Sequence, residues 1–373
     1  MPSSRRPRTP LDARAARDAR LSRVESHPLQ SIARFFISLT VLAIGGLWAA
    51  QNLGDPLAWW VELLRYTPYL LLLVPALLAL ALSITVGWTW RLAALASVLV
   101  VVFPLMGWTH GQPENGSNRL RVMSFNIKSY KADDRPEGYG PIVDEVQRHS
   151  PDVLVLQDAQ KLTDKWLPMP EAMKLLLAGR HLQLSGQYVI ASRHPLRDCR
   201  TAPLSVQPGL GDYLRCTVEV NGQRLEIVNV HLLSPREGLN AARREHLGGL
   251  DDWRINFGHR LGQARHLAED LARTRPTGPG KRPLPMLIAG DLNAPEASAV
   301  VQSLLALNLR DAWSSAATGW GYTHGHSLRP NLSFLRIDHV LVSPGLGLAE
   351  VAVGGAEASE HRPLIVDLWL SRN

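Results

Sequence analysis

The stretch "DYLRCTVEVNGQRLEIVNVHL", residues 212–232, decides the fold class. β-branched and apolar residues fill both halves, and Asn221-Gly222 divides them. Asn-Gly accepts the positive φ angles of a two-residue hairpin turn, so two antiparallel strands are expected. A helical spacing of apolar residues then runs over about 239–273, and "LPMLIAG" (284–290) reads as another strand. Hairpins and helical crossovers in one chain imply a mixed sheet, not a doubly wound parallel one.

The same alternation extends outward. "RLRVMSFNI" (119–127) reads as a strand and "PIVDEVQRHS" (141–150) as a helix. "PDVLVLQD" (151–158) holds a continuous apolar run of strand length, the pattern of a strand buried on both faces. "YVIAS" (188–192), "RIDHVLVS" (336–343) and "PLIVDLWL" (363–370) are further strands, "EASAVVQSLLAL" (296–307) is a helix and "TRPTGPGKRP" (274–283) a loop. No internal repeat is visible.

Three apolar segments precede this pattern: 35–50, 66–86 and 92–109. The second has no charge over about 21 residues, the length a bilayer core needs. Pro75 and Pro104 interrupt the second and third, which membrane helices tolerate. Residues 1–34 carry eight Arg against Asp12, Asp18 and Glu25, and their composition reads as a disordered basic tail. The positive-inside rule keeps that tail in the cytoplasm and makes 51–65 an outer loop. Arg91 marks an inner turn, and residue 110 onward is delivered outside. Trp48, Trp59, Trp60, Trp88, Trp90 and Trp108 fall near the proposed interfaces, as an aromatic belt would. "HGQPENGSN" (110–118) is a linker. The expected organisation is a tail (1–34), three transmembrane helices (35–109), the linker and a domain over 119–373.

The formal charge of +7 is mostly the tail, so the domain is only weakly basic and gives little support for a broad nucleic-acid face, leaving nucleic acid the less favoured partner. Two cysteines exclude a disulfide-rich scaffold and a zinc cluster. Cys199 and Cys216 flank a "QPGLGD" turn. Two readings stand: they face each other across a hairpin, or they are two small buried hydrophobes.

Polar residues recur at strand ends: Asn126, Gln157-Asp158, His231, Asp291 with Asn293, Asp338, and Glu360-His361. Singly, such residues cap and turn. Together they place four carboxylates in or beside apolar runs, where an unpartnered charge costs several kcal/mol. A bound cation satisfies several at once, and oxygen donors from Asn126, Asp158 and Glu360 suit Mg²⁺ or Mn²⁺. Two histidines complete a set suited to phosphate ester cleavage.

In order, "FNI", "PDVLVLQD", "ASRHP", "NVHL", "GDLN", "RIDHVLVS" and "SEHRP" resemble the motifs of the endonuclease/exonuclease/phosphatase superfamily over about 119–371. The resemblance implies a four-layer α/β/β/α sandwich and a divalent-metal-dependent phosphohydrolase. It implies that Asn126 contacts metal or phosphate and that His231 contacts phosphate and helps protonate the leaving group. Asp291 and Asn293 would orient or activate water and hold the phosphate. Asp338 would orient His361, a base or transition-state donor. Two positions depart from the pattern: Asp158 stands where the family usually has a metal-binding Glu, and Glu360 where it usually has Asp. If both face one ion, the two changes compensate.

With three spans ahead of an outward-facing domain, the chain resembles the glycopeptide-resistance type of bacterial membrane phosphatase. That implies a lipid pyrophosphate substrate at the outer face of the bacterial cytoplasmic membrane. The segment 234–260 bears Arg236, Arg243, Arg244, Arg254 and Arg260 among Leu239, Leu247, Trp253 and Phe257. It is either a phosphate- and surface-binding element or an amphipathic helix packed on the sandwich. The rival functions are a nuclease or phospholipid phosphodiesterase, and a membrane scaffold without turnover.

Overall fold

A computed structural model describes residues 10–206, 209–245, 248–274, 283–327 and 332–370, with side chains from residue 28 onward. The chain divides into two compact units, Met1–Ala50 with Tyr69–Met106, and Gln51–Pro68 with Gly107–Asn373.

The first unit is helical. Its opening helix runs Pro10–Leu53, so from residue 10 the tail expected to be disordered is drawn as helix, as its Ala and Arg content favours. Among the described residues two helices are long and apolar enough to cross a membrane, Pro28–Leu53 and Trp88–Leu105, rather than the three expected. The middle segment forms a shorter helix, Tyr69–Thr85, bounded by Pro68 and Gly87 and made of an α-helix between two 3-10 turns. Ile37, Ala79 and Ala94 form the buried centre of this unit.

The second unit holds twelve principal strands: β1 (Leu120–Asn126), β2 (Val153–Gln157), β3 (His181–Ser185), β4 (Tyr188–Ser192), β5 (Leu196–Pro203), β6 (Asp212–Val220), β7 (Gln223–His231), β8 (Met286–Asp291), β9 (Arg310–Asp311), β10 (Asp338–Val342), β11 (Leu346–Val353) and β12 (Leu364–Leu370). They form two six-stranded sheets, ordered β9-β10-β8-β7-β6-β5 and β11-β12-β1-β2-β4-β3. Each has one parallel pair near its centre, β7–β8 and β1–β2, and antiparallel pairs elsewhere. The mixed sheet expected from the hairpin is therefore present twice. Asn221 and Gly222 take φ of 50° and 78° and turn β6 into β7.

Period-two alternation sets the layers. Val122, Val155 and Ile190 of one sheet meet Ile227, Leu287 and Val340 of the other in the central core. The alternate residues Val228, Ile288 and Leu341 face Phe257, Leu267 and Val301 of helices on one outer side. Met123, Leu154 and Val189 face Ile142, Val146 and Met173 on the other. The result is a helix–sheet–sheet–helix stack.

Several boundaries differ from expectation. The helical stretch 239–273 is two helices, Arg236–Arg244 and Gly249–Thr274. They cross so closely that a Cβ at Gly249 would lie 2.0 Å from the Ala241 carbonyl oxygen. The linker is fastened rather than free: Thr109–His110 pairs with Thr318–Gly319, and Gly111 and Glu114 donate to Ala317 and Leu348. Most of the loop expected at 274–283 lies outside the described residues. Cys199 and Cys216 form a disulfide between the edge strand β5 and β6, beside a register shift at Arg197/Arg200.

Gly290 in β8 lies against β7, where an added Cβ would lie 1.8 Å from the Val230 carbonyl oxygen. Gly290→Ala should separate the parallel pair that carries His231 and Asp291. The expected cost is more than about 4 kcal/mol, read as a lost or strongly lowered unfolding transition of the full chain in detergent.

Candidate active site

Strand register assembles the site. In the parallel β7–β8 pair His231 is opposite Asp291, and in the antiparallel β8–β10 pair Asp291 is opposite Asp338. Three polar side chains thus stand in a row across one sheet end. The other sheet contributes Asn126 at the end of β1, Asp158 just after β2, and Glu360 and His361 just ahead of β12.

Asp291 joins the two groups. It is fully buried, and its carboxylate accepts from Asn126 Nδ2 at 2.9 Å and from the Asn293 backbone N–H at 2.9 Å. The Nε2 atoms of His231 and His361 lie 3.5 and 3.6 Å from the same oxygen, Oδ2. Asn293 holds a left-handed φ of 52°, and its side-chain amide donates to the Leu232 carbonyl at 2.8 Å.

His361 Nδ1 bonds Asp338 at 2.9 Å, which leaves Nε2 facing Asp291. Burial holds the imidazole down at about 4, so it is neutral near pH 7, with the charges of Asp291 and Asp158 working the other way. Burial pushes Asp338 up to about 6, against hydrogen bonding from Thr323. His231 is fixed from the other side, its Nδ1 2.6 Å from Gln187 Oε1.

The two departures from the family pattern have separate partners. Asp158, at a left-handed φ of 52°, is ion-paired to Lys128 and lies 3.5 Å from His231 Nδ1. Burial alone would raise its pKa; the charges of His231 and Lys128, with hydrogen bonds from Lys128 and Asn126, hold it well below the usual range. Glu360 is ion-paired to Lys131 and lies 3.5 Å from Arg236 Nη2. Burial raises its pKa too, and the Lys131 contact outweighs it.

The three charged or imidazole groups with ligand atoms within 4.8 Å of one another are Asp291, Asp338 and His361, not Asp158 and Glu360. His361 and Asp338 are already bonded to each other, which suits proton handling better than ligation. Asn126, Asp158 and Glu360 remain an oxygen-only set of the kind a hard dication takes. Their fit is chemical: both carboxylates are neutralised by lysine ammonium groups, which a dication can replace. Lys131 is more than a third exposed and free to withdraw.

Gln157, in the polar series read from sequence, is not at the site. Its Nε2 donates to Asn229 Oδ1 at 2.8 Å, an amide pair bridging the two sheets. Other residues enter that the strand-end pattern could not supply. Lys128 precedes, and Lys131 lies within, the short helix Ser129–Asp133 that follows β1. His324 stacks on His361 with centroids 4.7 Å apart and is held down at about 4 by burial and by His361. Arg336 and His339 flank Asp338 in sequence and grip buried Asp311, and His339 Nε2 reaches the Ala294 carbonyl at 2.9 Å.

A cavity of about 500 Å³ opens over this rim. Lys128, Arg236, Arg243, His324 and His361 line it together with Leu239, Phe334, Leu335 and Ile337.

Two facing sheets with acids, amides and imidazoles gathered at their strand ends define a phosphoesterase/nuclease-like domain. The chain belongs to the Endonuclease/Exonuclease/phosphatase family, whose model matches residues 123–361 and whose members are phosphoester hydrolases. A family protein from Bacteroides vulgatus superposes with a TM-score of 0.50 at 18% identity, over 68% of this chain and 100% of that one. One from Beutenbergia cavernae gives 0.48 at 22%, over 68% and 72%. The human nocturnin catalytic domain with bound sulfate gives 0.49 at 17%, over 68% and 94%. At these identities the likeness is one of fold. No curated protein matches the sequence.

Gln187→Ala should release His231 from its orientation without touching a carboxylate. The expected result is a kcat on a generic phosphodiester lowered roughly ten- to hundredfold, a fraction of what a positioned acid–base group supplies, with an unchanged unfolding temperature.

Proposed function

We propose that the protein is a membrane-anchored, divalent-metal-dependent phosphohydrolase acting on a lipid phosphate or pyrophosphate. The observation that carries the substrate class is the mixed lining of the cavity. A cluster of cations and imidazoles suits phosphate oxygens, and Leu239, Phe334, Leu335 and Ile337 offer an apolar wall to a hydrocarbon chain. The anchor would use Pro28–Leu53 and Trp88–Leu105, with the shorter apolar helix Tyr69–Thr85 crossing between them. The Cys199–Cys216 bond supports an oxidising, extracytoplasmic location for the domain, at the bacterial cytoplasmic membrane.

The chemistry follows from the hydrogen bonds. With Nδ1–H donated to Asp338, His361 presents a lone pair at Nε2 and takes the proton of an attacking water. Asp338 stabilises the imidazolium that forms, as an orienting carboxylate does in other acid–base pairs. His231, held at Nδ1 by Gln187, presents Nε2 to the leaving oxygen. Asn126 and Asn293 hold Asp291 and the phosphate in register. Lys128 and Arg236 are placed to meet phosphate oxygens. Asn126, Asp158 and Glu360 would hold the divalent ion, which when bound neutralises charge developing on the phosphate.

Phosphate release from a long-chain prenyl pyrophosphate should fall at least about a hundredfold in EDTA and return with Mg²⁺ or Mn²⁺. His361→Asn should lower kcat about a thousandfold. Nicking of plasmid DNA with no release from the lipid would overturn the substrate class in favour of a nuclease. No turnover of any phosphoester, with metal present, would favour a scaffold.

The shared-ion idea has its own test. Asp158→Glu and Glu360→Asp should each reduce activity, and the double swap should recover part of it. Additive losses would mean that the two carboxylates act separately, each with its own lysine.

A further inference from the structure

The segment Gln51–Pro68, read in sequence as the loop 51–65 and the start of the apolar stretch 66–86, belongs to the unit that carries the candidate site. Its contacts are deep. Glu62 and Arg260 are both fully buried, with Glu62 Oε1 3.5 Å from Arg260 Nη1 and accepting from Ser298 Oγ at 2.7 Å. Arg260 lies among the rings of Tyr66, Trp253 and Phe257, its guanidinium carbon 5.3, 5.1 and 5.9 Å from their centroids. Trp253 Nε1 donates to the Trp59 carbonyl at 2.8 Å.

Tyr66 carries this packing into the site. Its hydroxyl donates to the Asn293 backbone carbonyl at 2.8 Å, bracing a residue held at a left-handed φ. Its side chain also lines the cavity that holds His361, Lys128 and Phe334. Tyr66 is three residues ahead of the apolar helix that opens at Tyr69.

We propose that Gln51–Pro68 is a substrate-positioning element of the active site, in which the Tyr66 ring forms part of the wall against the hydrocarbon chain next to the scissile phosphate and its hydroxyl fixes Asn293. This rests on the lipid-phosphate reading for the identity of the chain. The anchor segment therefore does more than tether the domain: it supplies chain-length selectivity.

The test uses the full chain in lipid nanodiscs with two hydrolysis-resistant probes, hexadecylphosphonate and methylphosphonate, and measures the affinity of each. Phosphate release from long-chain prenyl pyrophosphate is followed in parallel. Wild type should bind the long probe at least about tenfold more tightly than the short one, the equivalent of burying a few methylenes. Tyr66→Phe should keep the preference and lower kcat, because the ring stays while the hydroxyl's bonds to the Asn293 carbonyl, Glu62 and Arg260 are lost. Tyr66→Ala should abolish the preference, with the short probe bound as in Tyr66→Phe, which lacks the same hydroxyl. If Tyr66→Ala fails to fold, Tyr66→His replaces the apolar ring with a polar one and should weaken the long probe relative to Tyr66→Phe, with the short probe bound as in that variant. Equal weakening of both probes, or an undiminished preference in the Ala or His variant, would overturn the assignment. A wild type that prefers the long probe yet releases no phosphate from prenyl pyrophosphate would overturn the lipid-phosphatase reading and leave the role of Tyr66 standing.

Discussion

The site depends on one buried carboxylate. Asp291 has no exposed surface, and among the described residues its close partners are two N–H donors and two imidazoles. An ionised carboxylate in that position survives only if its lone pairs are met, and the groups that meet them come from both sheets. Asn126 Nδ2 arrives from the end of β1 and the Asn293 N–H from just after β8, while His231 at the end of β7 and His361 ahead of β12 set their Nε2 atoms 3.5 and 3.6 Å away. Fixing Asp291 therefore fixes the spacing of the two sheets at this end of the sandwich.

Register turns that local demand into a global one. A slip of one residue in β7, β8 or β10 would turn its site residue away from the row and expose half of the strand's core set. Gly290, one residue before Asp291, permits the close approach to β7 that keeps His231 alongside. The amide pair Gln157–Asn229 ties β2 to β7 beneath the site. Arg336, His339 and Asp311 clamp the chain on the far side of Asp338, so the polar network continues behind the residues that face the cavity.

Much of this was legible in the sequence because polar groups inside apolar strands are costly and therefore conspicuous. Asn126, Asp158, His231, Asp291, Asp338 and His361 each interrupt or end such a run, and the structure gathers them at one rim. The mixed-sheet architecture was legible from Asn221-Gly222 and the helical crossover after His231. The lysines were not, because Lys128 and Lys131 sit at a short polar helix after β1, where lysine is the ordinary surface residue. His324 was hidden for a similar reason, in a loop without periodicity. The idea that Asp158 and Glu360 share one cation rests on the family resemblance and on side-chain length, which say nothing of the ammonium groups bonded to each. Glu62 read as one acid in a short outer loop; its partner Arg260 is 198 positions away in sequence, and no local pattern couples such a pair.

The docking of Gln51–Pro68 also constrains how the chain can be threaded. That segment and the sandwich belong to one folded body, so both must emerge on the same face of any bilayer the chain enters. Between Tyr69 and Met106 the polypeptide must then cross an even number of times. The short helix Tyr69–Thr85 and the longer Trp88–Leu105 either traverse as a hairpin or neither traverses. If the chain enters a bilayer, the parity of its passage would follow from the packing of Gln51–Pro68 on the sandwich, independently of hydropathy.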